Sequence, residues 1–237
     1  MQKAEFDKFA DEYYVLHQKN IQAFGESTDF FAEYKIKDIY ELLNNNKAQS
    51  PRHILDFGAG IGTSVPHFRR FFPEASLTCL DVSEKSLEVG RSRFPNFADF
   101  QSFDGIRIPS HDDTFDLIFA ACVFHHIPPS AHLGLLQEWR RVLKPGGRAV
   151  IFEHNPLNPF TVHAVNTCPF DENAKLIRAS ALRDALRRAG FRHVGLRYRL
   201  FVPAALRALR PFERWLYWCP LGAQYFVHAS KLAGDLP

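Results

Sequence analysis

From residue 52 onward, short apolar runs alternate with amphipathic ones: HILDF, TSVPHFRRFF, ASLTCLDV, SEKSLEVGRSRF, DFQSF, FDLIFAACV, SAHLGLLQEWRRVL and RAVIFEH. β-type runs separated by stretches of helical period signal βαβ units, and strands apolar on both sides signal a parallel sheet covered by helices. Ahead of this alternation, residues 4–23 and 29–43 carry helical periodicity, the second through Phe30, Phe31, Tyr34, Ile36, Ile39, Tyr40, Leu42 and Leu43. Downstream, a helix is expected over 181–189, with Leu182, Ala185, Leu186 and Ala189 on one face and Gly190 as its C-terminal cap. Ser83, Ser130 and Ser180 stand where helix N-caps belong. The last two β-type runs, FRHVGLRYRLFV and AQYFVHASK, are joined by an excursion from Pro203 to Pro220 and read most simply as an antiparallel pair.

Composition narrows the class of protein. The 237 residues are 46% hydrophobic and 23% charged, as in folded globular chains. No repeat or linker divides them, so a single domain over 1–237 is expected, with an N-terminal helical cap (1–46) and two inserts (155–175 and 203–221). A net charge of only +3, without a concentrated basic stretch, argues against nucleic acid as a partner. No window has the length of a membrane span, and the polar start MQKAEFDKFADEYY does not read as a secretory leader, which points to a cytoplasmic location. Cys79, Cys122, Cys168 and Cys219 lie far apart, as reduced structural thiols do.

Chemistry first shows at ILDFGAGIGTS. Asp56 ends an apolar strand, and Gly58, Gly60 and Gly62 turn the chain toward a helix beginning near Thr63. Glycine tolerates positive φ and leaves no Cβ to block a ligand. The dinucleotide fingerprint needs its third glycine three positions after the second, and here Gly62 follows Gly60 by two. Asp81 ends the second β-run 21 residues after Gly60, where a carboxylate can accept from a ribose diol. Asp104 in SFDG follows the third β-run; it suits either an exocyclic amino group or an ordinary Asp-Gly turn. Together these residues favour an adenosine-containing ligand.

The motifs DFGAGIGT, LDVS, SFDG, FDLIFAACVFHHI and RVLKPGGRAVIFEHNP resemble the successive signatures of class I S-adenosylmethionine-dependent methyltransferases, with the LKPGG turn the most specific. The resemblance implies a Rossmann-like α/β fold: a seven-stranded, mostly parallel sheet of order 3-2-1-4-5-7-6, with strand 7 antiparallel and helices on both faces. It implies S-adenosyl-L-methionine as cofactor and S-adenosyl-L-homocysteine as product. Asp56, Phe57, Gly58, Ala59, Gly60, Gly62 and Thr63 would border the methionine part, Asp81 and Val82 the ribose, Asp104 and Gly105 the adenine, while Ala121 and Cys122 would line the cleft. Tyr14, on the first helix with Phe6, Phe9 and Tyr13, could reach the cofactor.

In such a fold the positions after strands 4 and 5 open onto the acceptor, which makes His126, then His154, His125 and Glu153, candidates for a base. No metal is expected, because adjacent histidines do not easily aim at one ion. The proline-punctuated inserts are expected to carry acceptor specificity. In the second, Arg207, Arg210 and Arg214 recur at helical spacing opposite Leu206, Leu209 and Leu216; this reads as a solvated arginine face over a packed apolar one, or as a peripheral membrane contact. The expected activity is methyl transfer to oxygen or carbon of a small acceptor, bulky or partly apolar. A cofactor-binding regulatory protein without catalysis is the alternative; a nicotinamide-dependent reductase is disfavoured by the glycine spacing and by the absence of a Tyr-x-x-x-Lys pair after the fourth or fifth strand.

Overall fold

The computed structural model describes residues 27–45 and 49–232. The helix expected over 4–23, with Tyr14, lies outside the described residues. Strands β1 (His53–Phe57), β2 (Ser76–Asp81), β3 (Asp99–Ser102), β4 (Phe115–Ala121), β5 (Leu143–His154), β6 (Arg192–Arg199) and β7 (Gln224–Ser230) form one sheet of order β3-β2-β1-β4-β5-β7-β6. The first five are parallel, and β7 runs antiparallel to both of its neighbours, in the order the resemblance implies. No crossover helix separates β6 from β7, so the chain returns antiparallel.

Helices α1 (Thr28–Asn45), α2 (Val65–Phe71) and α3 (Glu84–Arg93) cover one face, and α4 (Pro129–Val142) and α6 (Ala179–Arg188) the other; α5 (Pro159–Asn166) follows β5. Side chains alternate accordingly: Ile118, Ala120, Ala149 and Ile151 face α4 and α6, while Leu117, Phe119, Val150 and Phe152 face α1 and α2. Trp139 of α4 is fully buried edge-on to Phe57 and Phe124, at 5.2 and 5.5 Å between ring centroids. Truncating such a ring costs about 3–5 kcal/mol.

Local signals held in part. The Ser83 hydroxyl caps α3 by accepting from the Ser86 N–H (3.2 Å). Ser130 and Ser180 are not caps: α4 begins at Pro129, whose fixed φ suits a first helical position, and α6 begins at Ala179. Gly190 closes α6 at φ +91°. The LKPGG segment lies within the span of β5 as a bulge, with the pairing jumping from Phe115–Leu143 to Leu117–Arg148. In the second insert Ala204–Trp215 is 3₁₀ rather than α, with Pro211 inside it, and its apolar side is not packed: Leu206 and Leu209 are 53% and 48% exposed. The pairings Ala121–Phe152, His154–Gln224 and Arg199–Gln224 bring the ends of β4, β5 and β6 and the start of β7 to one edge. Asp56, Asp81, Ala121 and His154, at the ends of β1, β2, β4 and β5, share that edge.

Candidate active site

The turn from β1 to α2 is built on left-handed glycines, with Gly58 at φ +74° and Gly60 at +53°. The two differ in purpose. A Cβ on Gly58 would lie 2.5 Å from Val123 Cγ2, so this glycine lets strand β1 approach the end of β4. A Cβ on Gly60 would meet nothing within 4 Å among the described residues, so here bare backbone faces away from the rest of the described chain. Asp81 supports the loop from below: its Oδ2 accepts from Gly60 N–H (2.8 Å) and its Oδ1 from Ser83 N–H (2.9 Å).

Asp56 is 2% exposed, and its Oδ2 has no hydrogen-bond partner among the described residues. Burial, and then the charge of Asp81, push its carboxyl up to about 8, against the pull of the Lys35 ammonium and the Ser64 hydroxyl. Buried polar atoms are nearly always paired, so an orphaned carboxyl oxygen beside an open glycine loop marks a place where a ligand donor belongs. Asp104 is an exposed turn residue whose Oδ1 accepts from the Ile106 and Arg107 N–H groups, each at 2.8 Å. The following Gly105 sits beside Val82, joining the ends of β2 and β3.

Beyond β4, Cys122 adopts φ +58° and its thiol is pushed up by burial. The Gln224 side-chain amide reaches Cys122 Sγ (3.8 Å) and His154 Nδ1 (3.4 Å), and the Tyr34 hydroxyl donates to Gln224 Oε1. On the opposite face of the sheet, Glu153 accepts from Phe124 N–H (2.8 Å) and from His125 Nδ1 (2.6 Å). The other His125 nitrogen faces Asp171 Oδ1 at 3.5 Å, and His126 Nε2 faces the same oxygen at 3.4 Å. Carboxylate, imidazole, carboxylate and second imidazole thus form one chain at the strand ends.

The charges in that chain separate. Burial opposes protonation of His125, but Glu153 and Asp171 outweigh it and raise its pKa to about 10. His126 is driven the other way, to about 4, by burial and by the His125 charge. Burial and His125 likewise lower His154 to about 4. Burial raises the Asp171 carboxyl, but His125, His154 and His126 overcome it and bring the group to about 2. At neutral pH, His125 is a fixed cation and His126 a neutral imidazole. Contrary to the expectation that neighbouring histidines diverge, the 3₁₀ turn Phe124–His126 aims both rings at one carboxylate. Donor atoms of His125, His126 and Asp171 lie within 4.8 Å of one another, close enough to hold a metal ion.

Sequence reasoning missed Tyr34, Lys35, Asp171 and Gln224. Lys35 carried a usable signal, since it falls on the apolar stripe Ala32, Ile36, Ile39 of α1 and is buried there at 7% exposed. Asp171 and Gln224 carried none, because only the tertiary fold brings them to the cluster.

Comparison with known proteins follows the same lines. Residues 54–147 match the family profile described as a methyltransferase domain. The chain is 33% identical over 153 residues to a demethylmenaquinone methyltransferase of Thermotoga maritima, covering 65% of this chain and 61% of that one. It is 30% identical over 182 residues to a trans-aconitate 2-methyltransferase of Acidovorax ebreus, covering 75% and 66%. The chain thus spans just under two thirds of the length of either relative. In fold it is similar to a Thermotoga maritima crystal structure described as an S-adenosylmethionine-dependent methyltransferase, possibly a histamine N-methyltransferase, with TM-score 0.65, 19% identity and coverage of 96% and 98%.

Proposed function

Because the chain belongs to the class I S-adenosylmethionine-dependent methyltransferases, we propose that it binds this cofactor at the glycine loop and methylates an oxygen or carbon atom of a small, partly apolar acceptor. The observation that carries the reading is the pairing of bare backbone at Gly60 with the orphaned oxygen of Asp56. An ammonium group beside Asp56 would donate the missing hydrogen bond, and its charge would favour the ionised carboxylate. Asp81 would hold the ribose diol, and the Asp104 turn, with Val82 and Gly105, the adenine end. Bound S-adenosylmethionine supplies a methyl group that is already activated, so the protein's work is positioning, exclusion of water and management of one proton.

For that proton His126 is the base. It is neutral at physiological pH, partly exposed, and oriented by Asp171, while His125 is already protonated and Glu153 is committed to His125. We read the Glu153–His125–Asp171 triplet as a fixed charge array that needs no metal, with His154 packed beside it (5.3 Å between ring centroids).

Calorimetric titration with S-adenosylmethionine, S-adenosylhomocysteine and reduced nicotinamide nucleotides tests the reading. Binding of the first two is expected, weakened in Asp56→Asn. Binding of the nicotinamide nucleotide alone would make the protein a reductase, and tight cofactor binding without transfer to any acceptor in a broad screen would make it a regulatory binder.

A further inference from the structure

The second insert leaves a large apolar surface uncovered at the same edge as the site. Leu206, Leu209, Phe212, Trp215, Trp218 and Leu221 are between 48% and 77% exposed. Three of them adjoin: the Phe212 and Trp215 rings pack at 5.4 Å, and the Trp218 indole donates to the Trp215 carbonyl at 2.9 Å. Asn158 Nδ2 donates to the Leu221 carbonyl at 2.8 Å, which joins exposed Leu157 and Phe160 to the same surface. Folded chains rarely expose this much contiguous apolar area without a partner.

The backbone beneath is firm. Glu213 is buried at 4% exposed, accepts from the Phe201 and Val202 N–H groups at 3.0 and 2.8 Å, and faces Arg199, which in turn grips Asp38 of α1. Asn155 Nδ2 donates to the Pro220 and Gly222 carbonyls. The patch is therefore presented on an anchored platform.

Charge selects the occupant. Between residues 203 and 223 the only acid is the buried Glu213, whereas Arg207 and Arg214 are exposed, Arg214 over the Trp215 ring at 5.0 Å. Tryptophan, phenylalanine and leucine flanked by arginines, with no exposed acid, are the components of a surface that seats in the headgroup region of an anionic bilayer. No described helix is long and apolar enough to cross a membrane, so the contact is one of lying on the surface.

We propose that the face formed by residues 206–221 with Leu157 and Phe160 docks the protein on anionic phospholipid membranes. The patch flanks the ends of β5 and β6, which turns the acceptor edge of the sheet toward the lipid. Docking is read without any acceptor or methyl transfer, so its failure and failure of the proposed activity are separate results.

The full chain is tested by cosedimentation with vesicles of mixed phosphatidylglycerol and phosphatidylcholine against pure phosphatidylcholine, with tryptophan emission followed in parallel. Binding only to the anionic vesicles is expected, with a blue-shifted emission and weakening at high salt. Reversing Arg207 and Arg214 to glutamate should weaken it by roughly fivefold or more per residue. Trp218→Ser with Leu221→Ser should abolish it without altering circular dichroism. Absence of vesicle binding, or binding indifferent to both variants, overturns the proposal. So does a wild-type dimer that becomes monomeric in the tryptophan variant, which would make the patch an interface between copies of this chain.

Discussion

His125 donates from Nδ1 to Glu153 Oε2 across 2.6 Å, between side chains 1% and 0% exposed. Removing one partner of a buried pair strands the other, so Glu153→Gln is expected to cost about 3–5 kcal/mol. The pH dependence has a definite sign. Folding raises the His125 pKa from 6.5 to about 10, so the pairing stabilises fully below pH 6.5 and is lost as pH rises through 10. Denaturant unfolding of both proteins across that window should show the gap narrowing toward pH 10; a gap indifferent to pH would reject the charge assignment.

His126 is the expected base, neutral down to about pH 4. His126→Ala should lower kcat by roughly 10²–10⁴-fold while calorimetric affinity for S-adenosylmethionine stays the same. Asp171→Asn removes a charge that favours His126 protonation, so the acid limb of the kcat/KM profile should move to lower pH. A limb that moves up, or does not move, removes Asp171 from the base.

The two glycines part company under the same substitution. Gly58→Ala sets a Cβ against Val123 at φ +74° and should destabilise by about 1–3 kcal/mol. Gly60→Ala meets no atom of the described residues and should cost only the left-handed strain of about 1–2 kcal/mol, yet intrude on the proposed cofactor site. Thermal melts combined with cofactor titration separate the two, the second variant losing affinity out of proportion to its stability.

Asp56 is costly to ionise in the folded chain. Its pKa rises from 3.8 to about 8, so its contribution to stability is fully present below pH 3.8 and is lost as pH rises through 8. Asp56→Asn should therefore match or exceed the wild type in stability above pH 8. It should weaken S-adenosylmethionine by roughly ten- to a hundredfold, the worth of a hydrogen bond to a charged group. Loss of stability together with unchanged affinity would make the residue structural.

Dialysis against a chelator should leave both turnover and melting temperature unchanged if His125, His126 and Asp171 manage protons. A loss restored by a single divalent metal would reassign the three as ligands, since their donor atoms lie within 4.8 Å of one another.

The sequence alone determined the order of the seven strands and of the helices packed on them, the glycine loop, the acids ending β1 and β2 and the histidines after β4, because these rest on local periodicity, backbone sterics and spacing; it did not show helix α5 (Pro159–Asn166), which lies in the 155–175 insert. It also supplied the motifs whose resemblance implied the sheet order. Only the tertiary structure decided what the acids and histidines face. Asp171 lies in an insert with no helical or strand period to place it, and Gln224 meets His154 only through the β5–β7 register. The split of His125 and His126 to opposite charge states follows from burial and from which ring two carboxylates enclose, neither of which is a local property. The arginine-rich insert shows the same limit from the other side: its helical spacing pointed to a packed apolar face under a solvated arginine one, whereas the folded segment is a kinked 3₁₀ stretch with Pro211 inside it, its leucines exposed and Arg210 drawn over the Phe30 ring at 4.5 Å.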